Sequence, residues 1–205
     1  ILRKMKDYKV SRRNLQEANT KYSKKIFNGN DSLKSYMIGF RIGDLHSKLI
    51  SNSSSCLLIK VNTTKIEQVD LMKHVFGCYG HFYCKEINGV YHLACSLDRS
   101  FDFLLPKHKT IPKWILENNE YFISFLAGYS DAEGNIGVYD GRARYRVGSY
   151  DFDILKQIFE KLSSFGIQAK FNLEIKRGIY GKRRYNGDFY RVNVSKKTRL
   201  LILLQ

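Results

Sequence analysis

The chain has 205 residues, and 35 Lys+Arg against 19 Asp+Glu give it a formal charge of +16. Its 43% hydrophobic and 14% aromatic residues suffice for a core, which excludes a disordered polyelectrolyte. No apolar run reaches the roughly 18 residues of a membrane span, and the opening ILRKMKDYKVSRRN lacks the apolar stretch of a secretion signal.

Four cysteines (Cys56, Cys78, Cys84, Cys95) are too few and too clustered for a disulfide scaffold. Free thiols and an intracellular, reducing location are expected. His74, Cys78, His81 and Cys84 have a spacing that could hold a metal; the plainer reading is a helix end followed by a strand whose even positions point inward.

The charge is unevenly spread. Residues 1–34 hold ten basic and three acidic side chains, and residues 170–199 hold ten and two. Concentrated positive charge points to a polyanion, most often nucleic acid. A membrane surface would demand an amphipathic helix with a bulky apolar face, whereas 170–199 alternates.

In chain order, residues 1–34 form a basic extension, in which Ser11–Lys25 is compatible with a helix but shows no clear apolar stripe. An apolar helix over 36–44 ends at Asp44. A hairpin over 47–63 turns in the Ser-rich stretch 51–55, and a helix follows over 65–76. A second hairpin over 81–97 turns at Asn88-Gly89, a strong signal because both central residues of such turns take positive φ. Phe101, Phe103, Leu104 and Leu105 suggest a short helix, and 107–120 is a linker.

The second half repeats this order. A helix ends at Glu133, and strands near 135–139 and 142–147 flank a turn at Asp140-Gly141. In the latter strand Ala143, Tyr145 and Val147 alternate with Arg142, Arg144 and Arg146, so one face is buried and the other cationic. A helix over 151–165 carries Ile154, Leu155, Ile158, Phe159 and Leu162 at helical spacing, capped by Asp151 and ended by Gly166. Strands over 170–177 and 189–195 follow, joined by a basic loop, 178–187. In the first, Phe171, Leu173 and Ile175 face one way, and Lys170, Asn172, Glu174 and Lys176 the other. The fold class expected is α+β: two pseudo-symmetric α-β-β-α-β-β-α repeats, at 35–116 and 117–205.

Each repeat opens with a helix ending at an acid. The second reads LAGYSDAEG over 126–134, and matches LAGLIDADG at six of nine positions. The first, Met37–Leu45, keeps Gly39 and Asp44, which lies 89 residues before Glu133. Over residues 33–205 the chain resembles the LAGLIDADG homing endonucleases in their single-chain, two-motif form. Small residues at Gly39, Gly43, Ala127, Gly128 and Ala132 suit two helices packed closely at the repeat interface. Negative charge at a helix C-terminus is unfavourable, and two such charges side by side make sense with cations between them.

The resemblance implies that Asp44 and Glu133 bind Mg²⁺ (or another divalent cation), with backbone carbonyls from Gly43 and Ala132, for metal-assisted phosphodiester hydrolysis. It implies a catalytic lysine after the last helix of each repeat, here Lys109 with Lys107 in reserve. Aligning Ser96–Pro106 on Ser195–Gln205 places the last residue opposite Pro106, so the second lysine and the end of the C-terminal helix are expected to be missing. The first motif also departs from the pattern by carrying Leu45 where the family has Gly, and Arg41 within the helix.

The family's antiparallel sheets form a saddle on double-stranded DNA. The DNA-binding candidates are then Lys60, Asn62 and Lys85 in the first repeat. In the second they are Arg142, Arg144, Arg146, Lys170, Lys176, Arg183, Arg184, Arg191 and Asn193, with Lys182 in the same basic loop. The expectation is a monomeric, intron-encoded DNA endonuclease. The alternative is a non-cleaving nucleic-acid-binding protein on the same fold, either an intron RNA maturase or a DNA-binding regulator.

Overall fold

The computed structural model describes residues 22–50, 55–139, 141–180 and 183–195. The first 21 residues of the basic extension, the Ser-rich turn at 51–54, Asp140, Lys182 and the expected C-terminal helix lie outside the described residues, as does the side chain of Arg142. The elements in order are α1 (Asp31–Gly43), β1 (His46–Leu49), β2 (Cys56–Thr63), α2 (Ile66–Phe76), β3 (His81–Ile87), β4 (Val90–Asp98) and a 3₁₀ helix (Arg99–Leu104). Then come α3 (Lys113–Glu117), α4 (Asn119–Glu133), β5 (Gly134–Tyr139), β6 (Arg142–Ser149), α5 (Phe152–Ser164), β7 (Lys170–Ile175), β8 (Gly178–Tyr180), β9 (Arg183–Tyr185) and β10 (Phe189–Val194). The architecture is α+β with two four-stranded antiparallel sheets. No described helix is long and apolar enough to cross a membrane.

Packing divides the described residues into two units: one takes those of 22–27 and 48–102, the other those of 28–47 and 103–195. The helix of the first motif therefore belongs with the second repeat.

In the first unit the sheet order is β1-β2-β4-β3. Leu57, Ile59 and Val61 of β2 and Leu93, Cys95 and Leu97 of β4 are buried, as are Val69, Met72 and Phe76 on the α2 face that packs on this sheet. Asn88 and Gly89 have φ of 50° and 76°, the two positive values that the tight turn demands. The Cys95 thiol donates to the Phe76 carbonyl and is pushed up to about 12 by burial, so it behaves as an apolar group. Among the described residues no three His, Cys, Asp or Glu side chains converge to hold a metal. Cys84 lies on the exposed part of β3 rather than facing inward, and His81 stacks on Tyr22 with ring centroids 3.6 Å apart.

In the second unit both long helices start at asparagine caps. Asn30 accepts from the Leu33 N–H (2.9 Å) and Asn118 from the Tyr121 N–H (3.1 Å), each satisfying a donor that the first turn leaves open. These caps start α1 at Asp31, five residues before the apolar pattern begins. The sheet order is β5-β6-β10-β7. Tyr145 and Val147 of β6 and Val192 and Val194 of β10 are buried in one cluster with Ile154, Leu155, Ile158 and Leu162 of α5 and Phe122, Phe125 and Leu126 of α4. Burying each large side chain contributes about 1.5–3 kcal/mol.

Several expectations need correction. Asp151 precedes α5 but makes no capping bond; its carboxylate accepts from Ser149 Oγ instead (3.3 Å). Leu173 does not share the buried face: it is 47% exposed, since an irregularity in the β7–β10 register beside it breaks the alternation. The basic loop at 178–187 contains a small antiparallel ribbon, β8 paired with β9, and the linker at 107–120 holds the one-and-a-half-turn α3.

Candidate active site and nucleic-acid interface

The site is built by the crossing of α1 and α4. A Cβ on Gly39 would collide with the Phe125 carbonyl oxygen and lie 2.9 Å from the Tyr129 nitrogen. A Cβ on Gly128 would collide with the Tyr36 carbonyl oxygen and lie 3.1 Å from the Phe40 nitrogen. Adding 89 to Tyr36, Gly39 and Phe40 gives Phe125, Gly128 and Tyr129. The two contacts are therefore the same contact seen from either side, and the helices are related by a local pseudo-twofold. Further on, Gly43 meets Ala132, the residue 89 positions later, so the axis passes between them. A Cβ there would overlap that of Ala132 and sit 3.2 Å from Glu133 Cγ.

This crossing delivers both motif acids to one place. Asp44 is the exposed C-cap of α1, its N–H bonded to the Phe40 carbonyl, and Glu133 is the half-buried last residue of α4. Glu133 is raised to about 7, first by burial, then by the negative charges of Asp44 and Asp151; Lys107 pulls the other way. Of the two candidate lysines it is Lys107 whose charge reaches Glu133. Arg41, out of place by sequence pattern, is buried at the same helix end. It donates to the carbonyl oxygens of Leu45 (2.7 Å) and Leu104 (2.8 Å), and through Nε to Ser47 Oγ (2.8 Å). A cation at a helix C-terminus is favourable, and this one ties the α1 end to the segment leading to Lys107.

The raised Glu133 has a stability signature. Between about 4.5 and 7 the folded chain keeps a proton that the unfolded chain has lost, so stability falls as pH rises through that window. The melting temperature without divalent ions is expected to drop from pH 5 to pH 8, and Glu133→Gln should remove most of that drop. An equal drop in the variant would place the titrating group elsewhere.

The donor set fits a hard divalent cation. Asp44 and Glu133 offer carboxylate oxygens whose mutual repulsion a cation would relieve, and Gly43 and Ala132 carry the carbonyls beside them. Mg²⁺ is commonly held by one or two carboxylates, completing its shell with water and substrate phosphate.

Beside Glu133 lies the polar face of the second sheet. The registers place Arg146 opposite Asn135 on one side and Asn193 on the other, and Asn193 opposite Lys170. Arg144 pairs with Gly137, and Arg191 with Gly148 and Asn172. A pocket of about 290 Å³ lined by Glu133, Asn135, Arg146, Gly148, Phe189 and Arg191 joins this face to the acid. Arg146 Nε donates to Asn193 Oδ1 (3.2 Å), and Glu174 bridges Arg146 and Arg191. Lys176 lies one residue past β7, and Arg183 and Arg184 on the β8–β9 ribbon; all three are exposed. In the first unit Lys60, Asn62 and Lys85 are exposed, and His92, opposite both Asn62 and Lys85, contacts Asn62 Oδ1 through Nδ1 at 3.0 Å.

Sequence reasoning did not single out Asn135, Glu174 or Phe189 for the site. Asn135 and Phe189 carry no pattern of their own and become visible only through strand pairing. Glu174 was legible as a member of the polar face, but not as the partner of two arginines.

Residues 120–203 match the LAGLIDADG-like domain. The fold is similar to that of I-DmoI in complex with DNA and Mn (TM-score 0.59, 17% identity, covering 85% of this chain and 95% of that one). It is similar to I-DmoI in complex with DNA and Ca (0.56, 17%, 84% and 87%). The N-terminal LAGLIDADG domain of DUF199/WhiA is also similar (0.53, 14%, 95% and 90%). No curated protein sequence matches the chain. At these identities the likeness is one of fold.

Proposed function

A LAGLIDADG-like domain at residues 120–203, carried on the fold of the homing endonuclease I-DmoI, is the premise from which we propose a site-specific DNA endonuclease. It makes a Mg²⁺-dependent double-strand break at a long site, working as an intracellular, intron-encoded monomer. The observation that carries this reading is the approach of Asp44 and Glu133 at the ends of paired helices beside a cationic sheet face. A protein that only bound nucleic acid would have no need for paired carboxylates there.

In this reading Asp44 and Glu133, with the Gly43 and Ala132 carbonyls, hold the divalent cations. When bound, these ions supply an activated water and charge stabilisation at the leaving oxygen. The chain's own groups do the rest. The Gly39–Gly128 crossing fixes the spacing of the acids. Lys109 supplies the lysine that acts on the phosphate or the water, with Lys107, whose charge pulls the Glu133 carboxyl down, as the second candidate. Arg144, Arg146, Arg191, Asn193 and Lys170 hold the duplex of one half-site, joined by Arg142 through its register position and by Lys176, Arg183 and Arg184 at the periphery. Lys60, Asn62 and Lys85 hold the other.

The second reading, a non-cleaving binder of DNA or intron RNA, is favoured by one observation: Leu45, where the family has Gly, is 1% exposed beside Asp44. Incubating the protein with a genomic or randomised duplex library in Mg²⁺ and in EDTA decides between them. Discrete breaks that require Mg²⁺ support the endonuclease. Sites retained without cutting under both conditions support the binder.

A further inference from the structure

The polar face of the second sheet holds a group that a plain phosphate clamp would lack. Glu174 is an acid set among Arg, Lys and Asn side chains, and it contacts both Arg191 (Nε to Oε2, 2.7 Å) and Arg146 (Nη2 to Oε1, 3.8 Å). Its place is set by the backbone. Tyr190 pairs with Leu173 and Phe189 with Ile175, so Glu174 is the extra residue of a β-bulge. Bulges re-aim a side chain, and this one turns a carboxylate toward the neighbouring strands. Around it, Arg191 lies over the Phe189 ring at 5.7 Å, and Arg146 is tied to Asn193. Gly148 leaves the space they use: a Cβ there would stand 2.9 Å from the Phe189 ring and 3.2 Å from Arg191 Nε. The side chains of Arg146 and Arg191 are only 28% and 22% exposed.

Resting on the DNA-binding reading above, we propose that Glu174 is a positioning residue that locks Arg146 and Arg191 as a coupled reader of guanine in the major groove. A carboxylate facing DNA repels phosphate and lowers the attraction of the two arginines for it, so its presence weakens non-specific affinity. That loss makes sense where orientation matters more than charge. A guanidinium reads guanine by two parallel N–H bonds to O6 and N7, a contact that fails when the plane is free to turn. Glu174 binding Arg191 through Nε fixes the rotation of that plane before DNA arrives, so less side-chain entropy is lost on binding.

The test is selection of bound duplexes from a randomised library in Ca²⁺, with the full chain and three variants. Wild type is expected to enrich sites with guanine at two or more fixed positions. Glu174→Gln, which keeps the shape and removes the charge, should relax those positions by about tenfold and tighten binding to unrelated duplex. Arg191→Lys and Arg146→Lys, which keep the charge and lose the fork, should each relax one of them. The proposal is overturned if the lysine variants keep the full guanine preference, or if Glu174→Gln tightens all sequences equally without changing the preference. If no duplex is retained at all, the DNA-binding reading falls and this inference with it. Retained duplexes without Arg-dependent guanine positions remove this inference alone.

Discussion

Glu133→Gln is expected to reduce cleavage by on the order of a thousandfold or more, with duplex affinity little changed. The substitution keeps the size of the side chain and removes the charge that, with Asp44, is proposed to hold the cations. Lewis-acid stabilisation of a phosphoryl transition state is worth several kcal/mol, and about 1.4 kcal/mol is a factor of ten in rate. Binding should survive because, in the proposed complex, the change removes a negative charge that would sit near phosphates. The fold should survive as well: Glu133 is held near 7 by burial and by Asp44, so the neutral form is already the one its surroundings prefer. Quantitative cleavage of a recovered site, together with binding in Ca²⁺, checks both halves. Cleavage within tenfold of wild type would remove Glu133 from the chemistry. Loss of binding together with cleavage would make the site structural.

The second large effect falls on stability. Gly128→Ala is expected to cost about 2–4 kcal/mol, more than overpacking a core usually does. The added methyl meets the Tyr36 carbonyl oxygen, with the Tyr36 carbonyl carbon 2.8 Å and the Phe40 nitrogen 3.1 Å away. All of these are backbone atoms of a helix, which cannot rotate aside as a side chain would. The helices must separate, and the apolar side chains along their contact separate with them. For a chain of this size that corresponds to a melting temperature lower by roughly 5–15 °C. Gly89→Ala, in an open hairpin turn, meets no atom within 4 Å and bears only the backbone strain of its φ of 76°, about 1–2 kcal/mol, so it should cost less. Equal losses in the two variants would mean that α1 and α4 are not packed as described. Because the acids ride on the same helices, Gly128→Ala should also depress cleavage at temperatures where the variant is still folded.

Much of this was legible in the sequence, for reasons that are local. The period-two run from Ala143 to Val147 fixes which side chains of β6 are buried, because a strand has only two faces. Asn88-Gly89 names its own turn, since few other pairs tolerate two positive φ values. The string LAGYSDAEG combines the small residues that a close helix crossing requires with the terminal acid that the proposed cation site would use, so one segment carries both readings.

What the sequence misread were competitions between neighbours. Asp151 has the right identity for a helix cap, yet Ser149, two residues away, claims its carboxylate. Leu173 fits the alternation, but the bulge at Glu174 shifts the register beneath it. Arg41 violates the apolar pattern of α1 and is satisfied only because the carbonyls of Leu45 and Leu104 converge on it. Identity, spacing and the pairing of motifs were therefore set by the sequence alone, because each depends on backbone preferences over a few residues. Tertiary structure decided which lysine's charge reaches Glu133, which helix belongs to which unit, and that one acid holds two arginines. Those outcomes depend on distances between residues remote in the chain, and no local preference encodes them.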